Sequence, residues 1–130
     1  MLTVHIDNIG EMAVVECEGR IVRSEAAFRL RDAVTLQTDT RIIVLDLSGV
    51  SAIEGGGLGM LLFLQRWAQD HDIRLKLFNP RRSVRDRLDR VSSMQEFDIA
   101  TLDEVMALLS RDEGRYDEGR YDEGRYARAA

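Results

Sequence analysis

Residues 42–67 read IIVLDLSGVSAIEGGGLGMLLFLQRW. The continuously apolar start, Ile42 to Leu45, suits a central strand covered on both faces. A short polar turn is expected next, then Glu54, three consecutive glycines and a long apolar helix beginning at Leu58. That order sets flexible backbone at the amino end of a buried helix, where the first N–H groups have no intrahelical partner. The helix is apolar almost all round. Leu58, Leu61, Leu62 and Ala68 are read as one face, and Met60, Phe63, Leu64 and Trp67 as a second. The first face is expected on a sheet. The second either packs on a neighbouring helix or, with Met60 and Phe63 near the helix start, meets another protein.

Upstream, Leu2, Val4 and Ile6 alternate with polar residues, as do Ala13, Val15 and Cys17. The two runs flank Asn8-Ile9-Gly10-Glu11 and predict a hairpin. Ser24 is a candidate cap for a helix to about Gln37, with Ala26, Ala27, Leu30, Ala33 and Val34 inward. Downstream, Leu75 and Leu77 alternate around Lys76. Asn79-Pro80 predicts a helix start, because proline at the first helical position sacrifices no hydrogen bond. Val84, Leu88 and Val91 form that helix's stripe. Phe97 and Ile99 predict a last short strand. Thr101 and Glu104 have capping-box spacing before Leu102, Val105, Met106 and Leu109. The fold class is therefore α/β: a mixed sheet of about five strands, opening with a hairpin and then mainly parallel, with about four helices.

Composition bounds the function. The 130 residues predict one domain, with 45% hydrophobic and 32% charged residues in an ordinary globular balance. The single cysteine, Cys17, rules out an internal disulfide framework and fits a reducing, cytoplasmic setting. No signal peptide or membrane-spanning run is expected. A net charge of −5 argues against nucleic acid as partner. The composition shifts near Ser110, so residues 1–110 are read as the domain and 111–130 as a tail. There Asp-Glu-Gly-Arg-Tyr occurs three times, carrying Tyr116, Tyr121 and Tyr126. A five-residue period turns successive tyrosines by about 140° around a helix, and each unit holds a glycine, so a disordered tail is expected. Weak multivalent contacts through its Arg and Tyr side chains are the sharper reading.

The catalytic inventory is thin. Cys17 reads as a small core residue. His5 and His71 are isolated, so neither a metal site nor a cofactor is expected. Gly55, Gly57 and Gly59 lack dinucleotide spacing, and Glu54 would repel an anion. Arg81, Arg82, Arg85, Arg87 and Arg90 alternate with Asp86 and Asp89. The spacings Arg82–Asp86, Arg85–Asp89 and Asp86–Arg90 predict a salt-bridged helix surface. No enzyme is expected.

Three blocks carry a family resemblance: Val44-Leu45-Asp46-Leu47-Ser48-Gly49-Val50, the Ile53-Glu54-Gly55-Gly56-Gly57-Leu58-Gly59 turn with its helix, and Leu75-Lys76-Leu77-Phe78-Asn79-Pro80 leading to Val84, Leu88 and Phe97-Asp98-Ile99. Over about Met1 to Ser110 the chain resembles the STAS domain, the fold of bacterial anti-sigma factor antagonists and of related domains in sulfate transporters. The resemblance implies a regulatory binding module without enzymatic activity. In antagonist members, a partner kinase that is also the anti-sigma factor phosphorylates the second hydroxyl residue of an acid-Ser-Ser/Thr-Gly turn. The unmodified form binds that kinase and frees a sigma factor. Here Glu54 keeps the acid, while Gly55 and Gly56 replace both hydroxyl residues. Gly56, at the acceptor position, cannot take phosphate, and Ser48 and Ser51 do not match the site. The expected partner-binding residues are Glu54, Gly55, Gly56, Gly57, Leu58, Met60 and Phe63, facing an anti-sigma factor of the kinase type. The alternative is a subunit of a larger complex, such as a membrane lipid-transport ABC system.

Overall fold

The computed structural model describes residues 2–22, 24–91 and 97–119. The side chains of Ser24, Val91 and residues 111–119 lie outside that description. Five strands form one sheet in sequence order: β1 (Leu2–Ile9), β2 (Met12–Ile21), β3 (Ile42–Ile53), β4 (Arg74–Phe78) and β5 (Ile99–Ala100). β1 and β2 pair antiparallel as the expected hairpin, with Leu2 opposite Gly19 and Ile9 opposite Met12. All later pairs are parallel. The crossovers β2–β3, β3–β4 and β4–β5 step in the same direction. Right-handed crossovers then put their helices on one face of the sheet.

Those helices are α1 (Ser24–Thr35), α2 (Gly56–Asp70) and α3 (Arg82–Val91). Their inward residues, among them Leu30, Val34, Leu61, Leu64, Val84 and Leu88, join Val15, Cys17, Leu45, Leu47 and Leu77 in the larger core. The fourth helix, α4 (Leu102–Gly119), covers part of the opposite face with Val105 and Leu108 against Met12, Val44 and Ala100. Its start is the predicted capping box: Thr101 Oγ1 accepts from Glu104 N at 3.1 Å, and Thr101 N donates to Glu104 Oε1 at 2.8 Å.

Several boundaries differ from expectation. The stretch after Leu45 is strand through to Ile53, not a polar turn. Period-two reading fails there because of an irregularity: Glu16 pairs with Asp46, but Glu18 pairs with Gly49. β3 thus spends an extra residue, and Leu47 and Val50 both point into the larger core at a three-residue step. Asp46 Oδ1 stabilises this bend by accepting from Ser48 N (2.9 Å) and Ser48 Oγ (2.7 Å). α1 stops at Thr35, where the Oγ1 donates to Arg31 O at 2.7 Å. The proposed Ser24 side-chain cap lies outside the described residues. α3 begins at Arg82, after Pro80, because Asn79 turns the chain with φ 54° and Arg81 is the last non-helical residue. Phe97 precedes β5 and packs on the larger core. Backbone helix continues past Ser110 to Gly119, into the second repeat unit, where disorder was expected. The rest of the tail lies outside the described residues.

Candidate functional site

The turn that feeds α2 is built from backbone. Gly57 N donates to Glu54 O at 2.9 Å, closing a β-turn. Gly55 sits at φ 49°, ψ −114°, the first central position of a type II′ turn, which side-chain-bearing residues rarely adopt. Glu54 N donates to Ile21 O at 3.2 Å and ties the turn to the end of β2. Gly57 presses on the same carbonyl: a Cβ there would stand 2.1 Å from Ile21 O and 2.8 Å from its Cγ2. Gly55, Gly56 and Gly59 are different, because a Cβ at any of them would meet nothing within 4 Å.

The expected site residues therefore separate. Glu54, Gly55 and Gly56 are exposed, so among the described residues nothing seals the loop. Gly57 is buried; it positions the helix and offers no surface. Leu58 and Met60 are half-buried against the larger core. Phe63 is 48% exposed. The predicted division of α2 needs one correction. Leu64 is fully buried with Gly57, Leu61 and Ala68, while Leu62 is half-buried. The 57, 61, 64, 68 spacing is the helix's inward line, and the second face reduces to Met60, Phe63 and Trp67.

α3 and the residue before it set one positive charge beside the turn and another on β3. Arg87 of α3 places Nη2 3.9 Å from Glu54 Oε1. Arg81 Nε donates to Ser48 O at 3.0 Å. The helix surface is less internally paired than its spacing predicts. Of the three expected i,i+4 pairs, Arg85–Asp89 closes to 4.0 Å, and Arg82 and Arg90 make no ion pair among the described residues.

Beyond the turn, the sheet half that α4 leaves uncovered is polar. A groove of about 310 Å³ there is lined by Thr3, His5, Glu16, Glu18, Asp46 and Ser48, together with Val4, Cys17 and Gly49. His5 and Asp7 lie two apart on β1, and Glu16 is opposite His5, so their ligand atoms come within 4.8 Å of one another. Three such donors could hold a divalent cation, although all three are exposed. Reading the histidines as isolated missed this group, because Glu16 reaches His5 only through the hairpin register. Cys17 points the other way, into the larger core, as predicted.

Burial, reinforced by the carboxylates of Asp46 and Glu16, pushes the Cys17 thiol from its ordinary 9.0 up to about 12. A thiolate is the nucleophile, so the folded chain should resist iodoacetamide at pH 8.5 and react once unfolded in guanidinium. Equal rates in both states would contradict that burial. The sign for stability follows. The native thiol keeps its proton above pH 9 while the unfolded one loses it, so stability is intact below pH 9 and falls towards pH 12.

The STAS domain family model matches residues 3–107. Among solved structures, an anti-sigma factor antagonist from Mycobacterium paratuberculosis superposes with a TM-score of 0.70 at 18% identity, over 85% of this chain and 95% of that one. A putative anti-sigma factor antagonist from Thermotoga maritima gives 0.69 at 17% identity, over 82% and 94%. The antagonist SpoIIAA in its unphosphorylated form gives 0.67 at 17%, over 83% and 96%. No curated relative matches closely enough to carry a function across. Among the described residues, no helix is long and apolar enough to cross a membrane.

Proposed function

This chain belongs to the STAS domain family, and on that premise we propose that it is a non-enzymatic regulatory module of the anti-sigma factor antagonist type. It docks on an anti-sigma factor of the kinase type, in the cytoplasm of a bacterium. Exposed Glu54, Gly55 and Gly56 supply the fit, and Met60 and Phe63 supply apolar contact. Leu58 supports them from a half-buried position. The observation that carries the reading is the open space at Gly56: a side chain there would project outward without meeting its own fold. Gly56 has no hydroxyl, so it carries no phosphate and resembles the unmodified state in charge. Binding is then constitutive, and control falls to the amount of protein. No observation favours the transport-assembly alternative.

Gly56→Asp tests the site. The substitution introduces a carboxylate where family members carry phosphate, without steric conflict. Circular dichroism and the melting temperature should stay near the parent's. Affinity for the anti-sigma factor, measured by calorimetry, should fall about 100-fold, or about 2.7 kcal/mol. Gly56→Ser should bind as the parent does until the kinase phosphorylates it. Parental affinity in Gly56→Asp would remove the turn from the interface.

A further inference from the structure

α3 joins the glycine turn through the contact of Arg87 with Glu54, and it is the most basic surface of an acidic chain. Its run from Arg81 to Arg90 holds five arginines against two aspartates, within a chain of net charge −5. Sequence spacing predicts that these charges neutralise one another along the helix. Among the described residues the expected i,i+4 pairing closes at Arg85–Asp89, at 4.0 Å, and both members of that pair are more than half exposed. Arg82 and Arg90 are exposed and unpaired among the described residues. Arg87 is engaged only at 3.9 Å with an acid that is itself half in water.

An exposed guanidinium without a counter-charge is a ready recogniser of carboxylates, which it can grip bidentately. Resting on the reading that a protein docks at the turn, we infer that Arg82, Arg87 and Arg90 form the electrostatic half of the same interface. They select a partner whose surface beside the turn is acidic. Met60 and Phe63 hold the complex once formed, and the arginines steer its approach. Charges at a rim act mainly on association rate and salt dependence, whereas buried apolar contacts act on dissociation. Glu54 would leave Arg87 for water as a partner carboxylate takes its place.

The test uses the full chain, labelled with nitrogen-15, and octaglutamate as the probe. At low salt, amide shifts should concentrate on α3 and residues 54–57. Arg82→Glu/Arg90→Glu should weaken octaglutamate binding about tenfold. Arg29→Glu/Arg74→Glu makes the same charge change at exposed positions elsewhere and should not. Equal loss in both variants, or shifts scattered over the surface, would mean net charge alone and overturn the inference. A chain that by itself sediments as a salt-sensitive oligomer, dispersed by Arg82→Glu/Arg90→Glu, would make the occupant a second copy and also overturn it.

Stopped-flow association with a kinase-type anti-sigma factor separates the two readings. Arg82→Glu/Arg90→Glu should slow association about tenfold and flatten its salt dependence, with dissociation unchanged. Loss confined to Gly56→Asp sinks the arginine inference and spares the turn. Loss confined to the arginine variant does the reverse.

Discussion

Gly57→Ala should destabilise the fold by about 3 kcal/mol, the upper part of the usual range for forcing a methylene into a packed site. For a domain of this size that lowers the melting temperature by roughly 10 °C. The new Cβ would stand 2.1 Å from Ile21 O and 2.8 Å from Ile21 Cγ2. The first of these is backbone at the end of a strand, and it already accepts the Glu54 N–H. It cannot swing away as a side chain would, so α2 must lift from β2. Gly56→Ala and Gly59→Ala are the matched controls, since a Cβ at either meets nothing within 4 Å. They should be neutral or stabilising by up to about 1 kcal/mol, because glycine inside a helix carries extra unfolded-state entropy. Thermal melts followed by circular dichroism separate the three. A Gly57→Ala melt within 1 °C of the parent would show that the approach of α2 to Ile21 is looser than described. Lifting α2 also moves Met60 and Phe63, so any loss of binding in this variant is geometric and does not place Gly57 in the interface.

The same region shows what can be read from residue order and what cannot. Three glycines after an acid announce a turn into a helix, and the hydrophobic run announces burial. Nothing in the string says which glycine is there for which reason. Gly55 answers to a positive φ, Gly57 to a neighbouring carbonyl, and Gly56 to neither. That division depends on Ile21, more than thirty residues upstream. Leu64 was misassigned for a related reason: in a helix apolar on nearly every side, periodicity has no contrast from which to find the inward line. Strand pairing was legible where alternation was clean, in the hairpin, and failed at the Glu16–Glu18 irregularity, where one extra residue in β3 reverses the faces. The capping box at Thr101 and Glu104 was legible in full because all its parts lie within four residues. The pairing of Arg87 with Glu54 was not, since α2, β4 and the first turn of α3 lie between them, and local i,i+4 partners looked sufficient.

Asp98→Ala should cost about 3 kcal/mol, the lower end for stranding one member of a buried ion pair. Lys76 is 4% exposed, on the sheet face that α4 covers, yet it carries a charge. Its Nζ donates to Asp98 Oδ2 at 2.9 Å, and Asp98 is half in water. The asymmetry decides which deletion hurts more. Removing the carboxylate leaves an ammonium with little solvent around it, whereas Lys76→Ala leaves a carboxylate that can turn outward, at the loss of packing alone. Lys76→Met/Asp98→Asn should recover most of the stability, because a thioether of similar length suits the apolar surroundings. Urea melts of the parent, Lys76→Met, Asp98→Asn and their double variant give the coupling directly. Equal losses from the two single deletions would mean that Lys76 finds another route to water. The functional consequence is equally specific. The backbone carbonyl of Asp98, just before β5, accepts Leu77 N at 2.8 Å; Asp98→Ala keeps that bond but loses the side-chain tie to Lys76 on β4, which loosens β5 and α4 first. Hydrogen exchange in Asp98→Ala should therefore quicken at residues 99–108, while α2 and the turn keep their protection. A partner that reads the glycine turn should still bind this variant below its melting temperature, whereas one that reads α4 should not.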